Sequence, residues 1–295
     1  MKILLFGKNG QLGWELQRTC MLLGEMTAID YPGVDLANSG ELRSVIQQVK
    51  PDLILNAAAY TNVDKAEDEP EFARKVNALA PAIMAEEMKK FNGSLIHYST
   101  DYVFDGSKGS PYVETDSPNP VNMYGLTKLE GEQLVQGIGG IFIIFRTSWV
   151  YSLRQGGFVT KVLQWARTQE VLRIVDDQVG SPTWARMLAE ATAQVFAQGG
   201  DDPLGYLKEK SGLYHLAGAG AASRFAWAEA ILELDPKKDE QVFRELIAGK
   251  TKDFPIIALR PINSSLVSQR VKNLDLSLPF WKHSLALCLN ASLPD

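Results

Sequence analysis

Lys2-Ile3-Leu4-Leu5-Phe6-Gly7-Lys8-Asn9-Gly10-Gln11-Leu12-Gly13 opens the chain, and its reading decides the fold. A short apolar run stops at a glycine, glycines recur at every third position, and a helix-like pattern follows. A strand buried on both faces reads as such a run. Glycines in the turn let backbone approach a pyrophosphate, and the free N–H groups of the next helix face its charge. The spacing Gly-x-x-Gly-x-x-Gly differs from the common Gly-x-Gly-x-x-Gly fingerprint. The strand–turn–helix setting is what gives the triplet meaning.

Outward from this stretch, short apolar runs alternate with helical patterns. Strands are predicted over 2–6, 26–30, 53–56, 94–98 and 141–145, and helices over 11–23, 39–50, 70–90 and 122–136. Ser39 and Asn122 are the expected helix caps. Strands separated by helices cross over in parallel. The fold class is therefore α/β, a Rossmann-like doubly wound parallel sheet over residues 1–150. From 151 to 295 the pattern loosens into a smaller mixed α/β lobe, expected mainly to bind substrate, with later returns of the chain to the sheet allowed. Helices are expected there over 158–169, 182–198, 225–234 and 281–289, with strands over 172–175 and 213–217.

The chain has 295 residues, 22% of them charged, and a net charge of −5. No basic stripe suggests a nucleic-acid surface. No apolar stretch approaches the roughly 18 residues of a membrane span, and the N-terminal run is too short for a signal peptide. A cytoplasmic enzyme is the expectation. Cys20 and Cys288 lie in apolar helical stretches and read as buried small hydrophobes.

Asp30 closes the second strand, where an acid can hydrogen-bond an adenosine ribose. Asp35 and Leu36 are further candidates for the adenine end. No arginine follows Asp30, and Lys8 lies within the glycine turn, so the choice between NADH and NADPH stays open. Asn56-Ala57-Ala58-Ala59-Tyr60-Thr61 ends the third strand with small residues, against which a cofactor can lie. Tyr124 and Lys128 stand one helical turn apart, and Ser99-Thr100 ends the fourth strand. A free tyrosine titrates near about 10. A neighbouring ammonium favours the phenolate, and the Thr100 hydroxyl is suited to stabilise charge on a substrate oxygen.

These residues carry a resemblance. With Phe145-Arg146-Thr147-Ser148-Trp149, Asp177-Gln178-Val179-Gly180-Ser181-Pro182-Thr183 and Arg260-Pro261, the chain resembles the extended short-chain dehydrogenase/reductase superfamily and, within it, the dTDP-4-dehydrorhamnose reductase family. The resemblance implies that Gly7, Gly10, Gln11, Leu12 and Gly13 hold a pyrophosphate. Asp30, Asp35 and Leu36 would lie by the adenosine, and Ala59, Tyr60, Thr61 and Tyr98 along NADPH or NADH. Thr100, Tyr124 and Lys128 would be the catalytic group, the last two also touching the cofactor. Thr100, Asp101 and Trp149 would touch a dTDP-sugar. The implied reaction is reduction of a C4 ketone in rhamnose nucleotide biosynthesis.

Arg260 suits the substrate diphosphate, with an ion pair as the competing reading, and core packing competes for Trp149. Some members bind Mg²⁺ at a homodimer contact, at positions resembling Glu15 and Glu190; solvated helix-face carboxylates are the alternative. Two rival functions stand beside the reductase. One is another sugar-nucleotide enzyme, such as a 4-epimerase or a ketoreductase of a different sugar. The other is a non-catalytic subunit like the regulatory partner of methionine adenosyltransferase. A dehydratase is disfavoured, because Tyr102 rather than glutamate follows Asp101.

Overall fold

A computed structural model describes residues 1–154, 156–255 and 257–291. The first half runs β1 (Lys2–Phe6), α1 (Gln11–Cys20), β2 (Glu25–Ile29), α2 (Ser39–Val49), β3 (Leu53–Asn56), α3 (Val63–Asp68), α4 (Pro70–Arg74), a π-helical turn (Lys75–Leu79), α5 (Ala80–Phe91), β4 (Ser94–Thr100), α6 (Met123–Ile138) and β5 (Ile141–Thr147). The second half runs β6 (Val150–Tyr151), α7 (Phe158–Thr168), β7 (Val171–Val175), β8 (Val179–Gly180), β9 (Thr183–Trp184), α8 (Ala185–Ala197), α9 (Pro203–Glu209), β10 (Gly212–His215), β11 (Ala222–Ser223), α10 (Arg224–Glu233), β12 (Glu245–Gly249) and α11 (Trp281–Cys288).

Six strands form one parallel sheet in the order β10-β5-β4-β3-β1-β2. The period-2 alternation of a strand divides β1 between two cores. Ile3 and Leu5 join Leu12, Leu16, Leu188 and Val195 on the side of α1 and α8. Leu4 and Phe6 join Leu42, Ile46, Ile83 and Met84 on the side of α2 and α5. The chain moves from β1 outward to β2, then returns to β3 on the other side of β1. Ligands of doubly wound sheets bind at such a reversal, outside the carboxyl ends of the strands.

Expected and observed elements differ in instructive ways. The helix expected over 70–90 is interrupted by the π turn, in which Ala80 N–H bonds to Lys75 C=O. Pro81 follows directly and has no N–H for the preceding turn, a known cause of such irregularity. The first helix of this region, α3, lay unread ahead of it. The cap of α2 is Asn38 rather than Ser39: its Oδ1 accepts from Gly40 and Glu41 N–H at 3.1 and 3.2 Å. Asn122 does cap α6, accepting from Gly125 N–H at 2.8 Å. The parallel pair β7–β12 was half missed, since β12 gave no sequence signal.

The later chain returns to the sheet. β10 pairs with β5, and α8 packs along α1. The remaining residues build a second core, with Tyr151, Val159, Leu172, Trp227, Ile231 and Leu285 buried together. Cys20 and Cys288 are buried and free, as expected. Among the described residues, no helix is long and apolar enough to cross a membrane.

Beneath β5, Arg146 donates to Glu132 of α6 through Nε and Nη2, the latter at 2.6 Å, with side chains 4% and 0% exposed. Removing one member of such a pair leaves an uncompensated buried charge. Arg146→Ala should therefore destabilise the protein by about 3–5 kcal/mol. Urea denaturation measures this, and a loss below about 1 kcal/mol would show that water reaches Glu132.

Candidate active site

The glycine turn assigns a different task to each glycine. Gly7 has φ +85°, and a Cβ there would lie 2.7 Å from Ala58 N, so β1 and β3 approach closely at their ends. A Cβ on Gly13 would lie 2.0 Å from Gly7 O, so this residue seats α1 against the turn. A Cβ on Gly10 would meet only Gly7 O, at 3.4 Å. Gly10 precedes α1, and no side chain caps that helix start. Unclaimed N–H groups there suit an anion.

A cavity of about 510 Å³ opens above these carboxyl ends. Its walls come from Gly7, Gly10, Gln11 and Leu12 of the turn; from Ala57, Ala58, Ala59, Thr61 and Val63 after β3; and from Tyr98, Ser99, Thr100, Asp101 and Tyr102 at β4. Tyr124 and Lys128 of α6, then Thr147, Trp149 and Val150, complete it. A second cleft of about 200 Å³ shares Gly7, Asp30, Ala58 and Ala59 and adds Tyr31, Asp35, Leu36, Tyr60 and Phe72. Together the two hollows bring nearly every expected cofactor residue into one groove. Gly13 stands behind the turn, outside the lining.

Asp30 lines both hollows. Its two oxygens accept from Asn9 and Tyr31 N–H, each at 2.9 Å, which ties β2 to the glycine turn. Asp35 accepts from Ala37 N–H at 2.9 Å. Tyr60 donates its hydroxyl to Glu69 and its N–H to Asn77. Tyr98 presents a face to the cavity while its hydroxyl pairs with Thr192 at 2.7 Å. Gln11 accepts from Ser152 and reaches Val150 O, which ties the turn to the chain after β5.

Thr100 ends β4, and its Oγ1 donates to Asp101 at 3.1 Å. Burial raises Tyr124 above the usual phenol range, against an opposing hydrogen bond from Thr100. The expectation was a phenol made acidic by its lysine; at this position withdrawal from water is the larger influence. A phenol kept protonated is the state a proton donor needs. Lys128 is buried, donates to Tyr98 O at 2.6 Å and lies 3.3 Å from His97 Nε2. Burial lowers it to about 8, with Glu132 acting the other way.

Asp101 lies in the cavity wall with its carboxylate enclosed by the Thr100, Ser148 and Ser264 hydroxyls. Burial raises it to about 6 despite these bonds. Trp149 adopts φ +44° and packs against Trp227, 5.6 Å away, while the Arg224 guanidinium lies 3.6 Å from the Trp149 ring and 5.5 Å from the Trp227 ring. It both packs and lines the cavity, so the two readings of it are compatible. Gly180 closes on it, since a Cβ there would lie 2.4 Å from Trp149 Cε2.

Arg260 is outside the lining. It bridges Asp64 Oδ2 at 2.9 Å and Ala258 O at 2.7 Å, yet its charge reaches Tyr102. Arg224, which sequence reasoning missed, lies against the Trp149 ring, and its charge reaches Tyr102. No local pattern marks it; only folding brings the start of α10 to the cavity. Glu190 is paired with Arg186 at 2.8 Å, and Arg186 also feels Glu15. A carboxylate already engaged by a guanidinium does not fit a Mg²⁺ site. Among the described residues, no group of three or more His, Cys, Asp or Glu is placed to hold a metal.

Residues 1–293 match the family model described as RmlD substrate binding domain. A dTDP-4-dehydrorhamnose reductase of Burkholderia thailandensis is 39% identical, over 98% of each chain. The crystal structure of a dTDP-4-dehydrorhamnose reductase from Clostridium acetobutylicum superposes with a TM-score of 0.89 at 32% identity, covering 98% of this chain and 99% of that one. One from Bacillus anthracis, solved in complex with NADP, gives 0.88 at 28% identity over 98% of both chains. With a glycine-turn groove, a Thr–Tyr–Lys wall and a match along nearly its whole length, the chain belongs to the RmlD substrate binding domain family.

Proposed function

We propose that the protein reduces the C4 ketone of dTDP-4-dehydro-L-rhamnose to dTDP-L-rhamnose, with NADPH or NADH as reductant. One observation carries this reading: Thr100, Tyr124 and Lys128 share a cavity whose other wall is the glycine turn. Bound reduced nicotinamide supplies the hydride. The uncapped start of α1 and the bare Gly10 surface hold the pyrophosphate. Lys128 holds the nicotinamide ribose. Tyr124 gives its proton to the oxygen as negative charge develops there, and Thr100 steadies that charge.

The substrate end follows from charge. Arg224 lies in the first turn of α10, where the helix dipole opposes a cation. With Arg260 it sets two guanidiniums near Tyr102. We read this pair as the diphosphate clamp, with Trp149 and Asp101 shaping the sugar pocket. The family relatives bear the reductase name, which favours this reading over an epimerase or a binding subunit.

Tyr124→Phe should lower turnover of dTDP-4-dehydrorhamnose by about two orders of magnitude or more while cofactor affinity stays near wild type. Turnover followed by nicotinamide absorbance checks this; an unimpaired variant removes Tyr124 from the chemistry.

Gly10→Val should fold, because a Cβ at this position meets only Gly7 O, at 3.4 Å. Its NADH affinity should fall about 100-fold or more, as the pyrophosphate loses its approach to backbone. Fluorescence titration beside a melting curve separates binding from folding.

The adenosine cleft presents Asp30 and Asp35, and no Lys or Arg among its lining residues. A 2′-phosphate meets carboxylates there. NADH should bind about tenfold more tightly than NADPH at low ionic strength, with the gap narrowing in salt. Parallel titrations with the two cofactors read this directly, and tighter NADPH binding would show a cation acting there.

A further inference from the structure

Lys128 is 1% exposed. A lysine this deep usually has an anionic partner. The nearest carboxylate influence, Glu132, is already held by Arg146. The contacts of Nζ are the Tyr98 carbonyl at 2.6 Å and His97 Nε2 at 3.3 Å. His97 lies on β4, fully buried, and its Nδ1 is 3.0 Å from Asn56 Nδ2.

Counting hydrogens around this chain gives a definite result. Asn56 Oδ1 accepts from Ala58 N–H at 3.3 Å, so the amide NH₂ is the end that meets His97. Nδ1 must then accept. A neutral imidazole that accepts at Nδ1 carries its hydrogen on Nε2, and Nε2 faces Lys128. A neutral amine has a lone pair to take that hydrogen, whereas an ammonium has none. Burial holds His97 well below its ordinary range, so the ring does not become a cation instead.

We propose that His97, oriented by Asn56, is a positioning residue that sets the protonation state of Lys128 by presenting its Nε2 hydrogen to Nζ. The pair makes the lysine a group that readily gives up a proton rather than a permanent charge. Reversing the effect requires the imidazole to change tautomer and the Asn56 amide to turn, which sacrifices the bond to Ala58. The other ionisable groups around the lysine are Tyr124 and Glu132 on α6, Arg146 on β5, which holds Glu132, and Asp101 after β4. None of these changes with the tautomer of His97.

This inference rests on the Tyr124–Lys128 reading of the site, and its test does not need turnover. The Lys128 Cε resonance is followed against pH in lysine-labelled protein, assigned by its loss in Lys128→Met. In Asn56→Ala the imidazole is free to carry its hydrogen on Nδ1 and accept at Nε2. The lysine midpoint should then rise by about one pH unit. His97→Gln should also raise it, and adding Asn56→Ala to His97→Gln should move it no further. The alkaline limb of NADH affinity should shift with the same midpoint. A folded Asn56→Ala protein with an unmoved or lowered midpoint overturns the proposal. If His97→Gln does not fold, Asn56→Ala alone decides. Failure of the reductase reading would appear instead as absent sugar turnover with the lysine shift intact.

Discussion

Everything at this site depends on the close approach of three backbone segments at the carboxyl edge of the sheet. Gly7 touches Ala57 and Ala58, and Gly13 touches Gly7. No side chain fits at either glycine without moving main chain. The contact stacks the ends of β1 and β3 beneath the start of α1, which leaves that helix start open for a phosphate. It also fixes the floor from which Asp30, Thr61, Thr100 and Lys128 are displayed.

A second constraint joins the later chain to this floor. Asp101 accepts from Thr100 beside it, from Ser148 after β5 and from Ser264 far along the chain. Ser148 in turn accepts from Ser181 N–H at 3.1 Å. A buried carboxylate is costly unless its oxygens are occupied. Satisfying Asp101 therefore locates the segments that carry Trp149, Gly180 and Arg260. The cavity gains a roof because one acid must be hydrogen-bonded.

Much of the site was legible because its signals are local. Glycine spacing, apolar runs and the Tyr124–Lys128 step are written within a few residues of each other, and short-range geometry translates them directly. The reading faltered where distant partners decide. Arg224 carries no motif, and His97 and Asn56 sit in strands that read only as buried. The influence of burial on Tyr124 had no sequence signal, because dehydration depends on everything packed around the phenol. Ser39 lost the cap to Asn38 because both residues suit it, and backbone direction chooses.

The sequence by itself determined the parallel direction of the early strands, the glycine turn after β1 and the Thr100, Tyr124 and Lys128 set that lines the cavity. Each follows from periodicity, chirality and spacing along one stretch of chain. Only the tertiary structure decided that β10 completes the sheet beside β5, that Arg224 stacks on Trp149, and that the charge of Glu15 reaches the Arg186–Glu190 pair. Those outcomes depend on which surfaces are excluded from water together, and no local pattern records that.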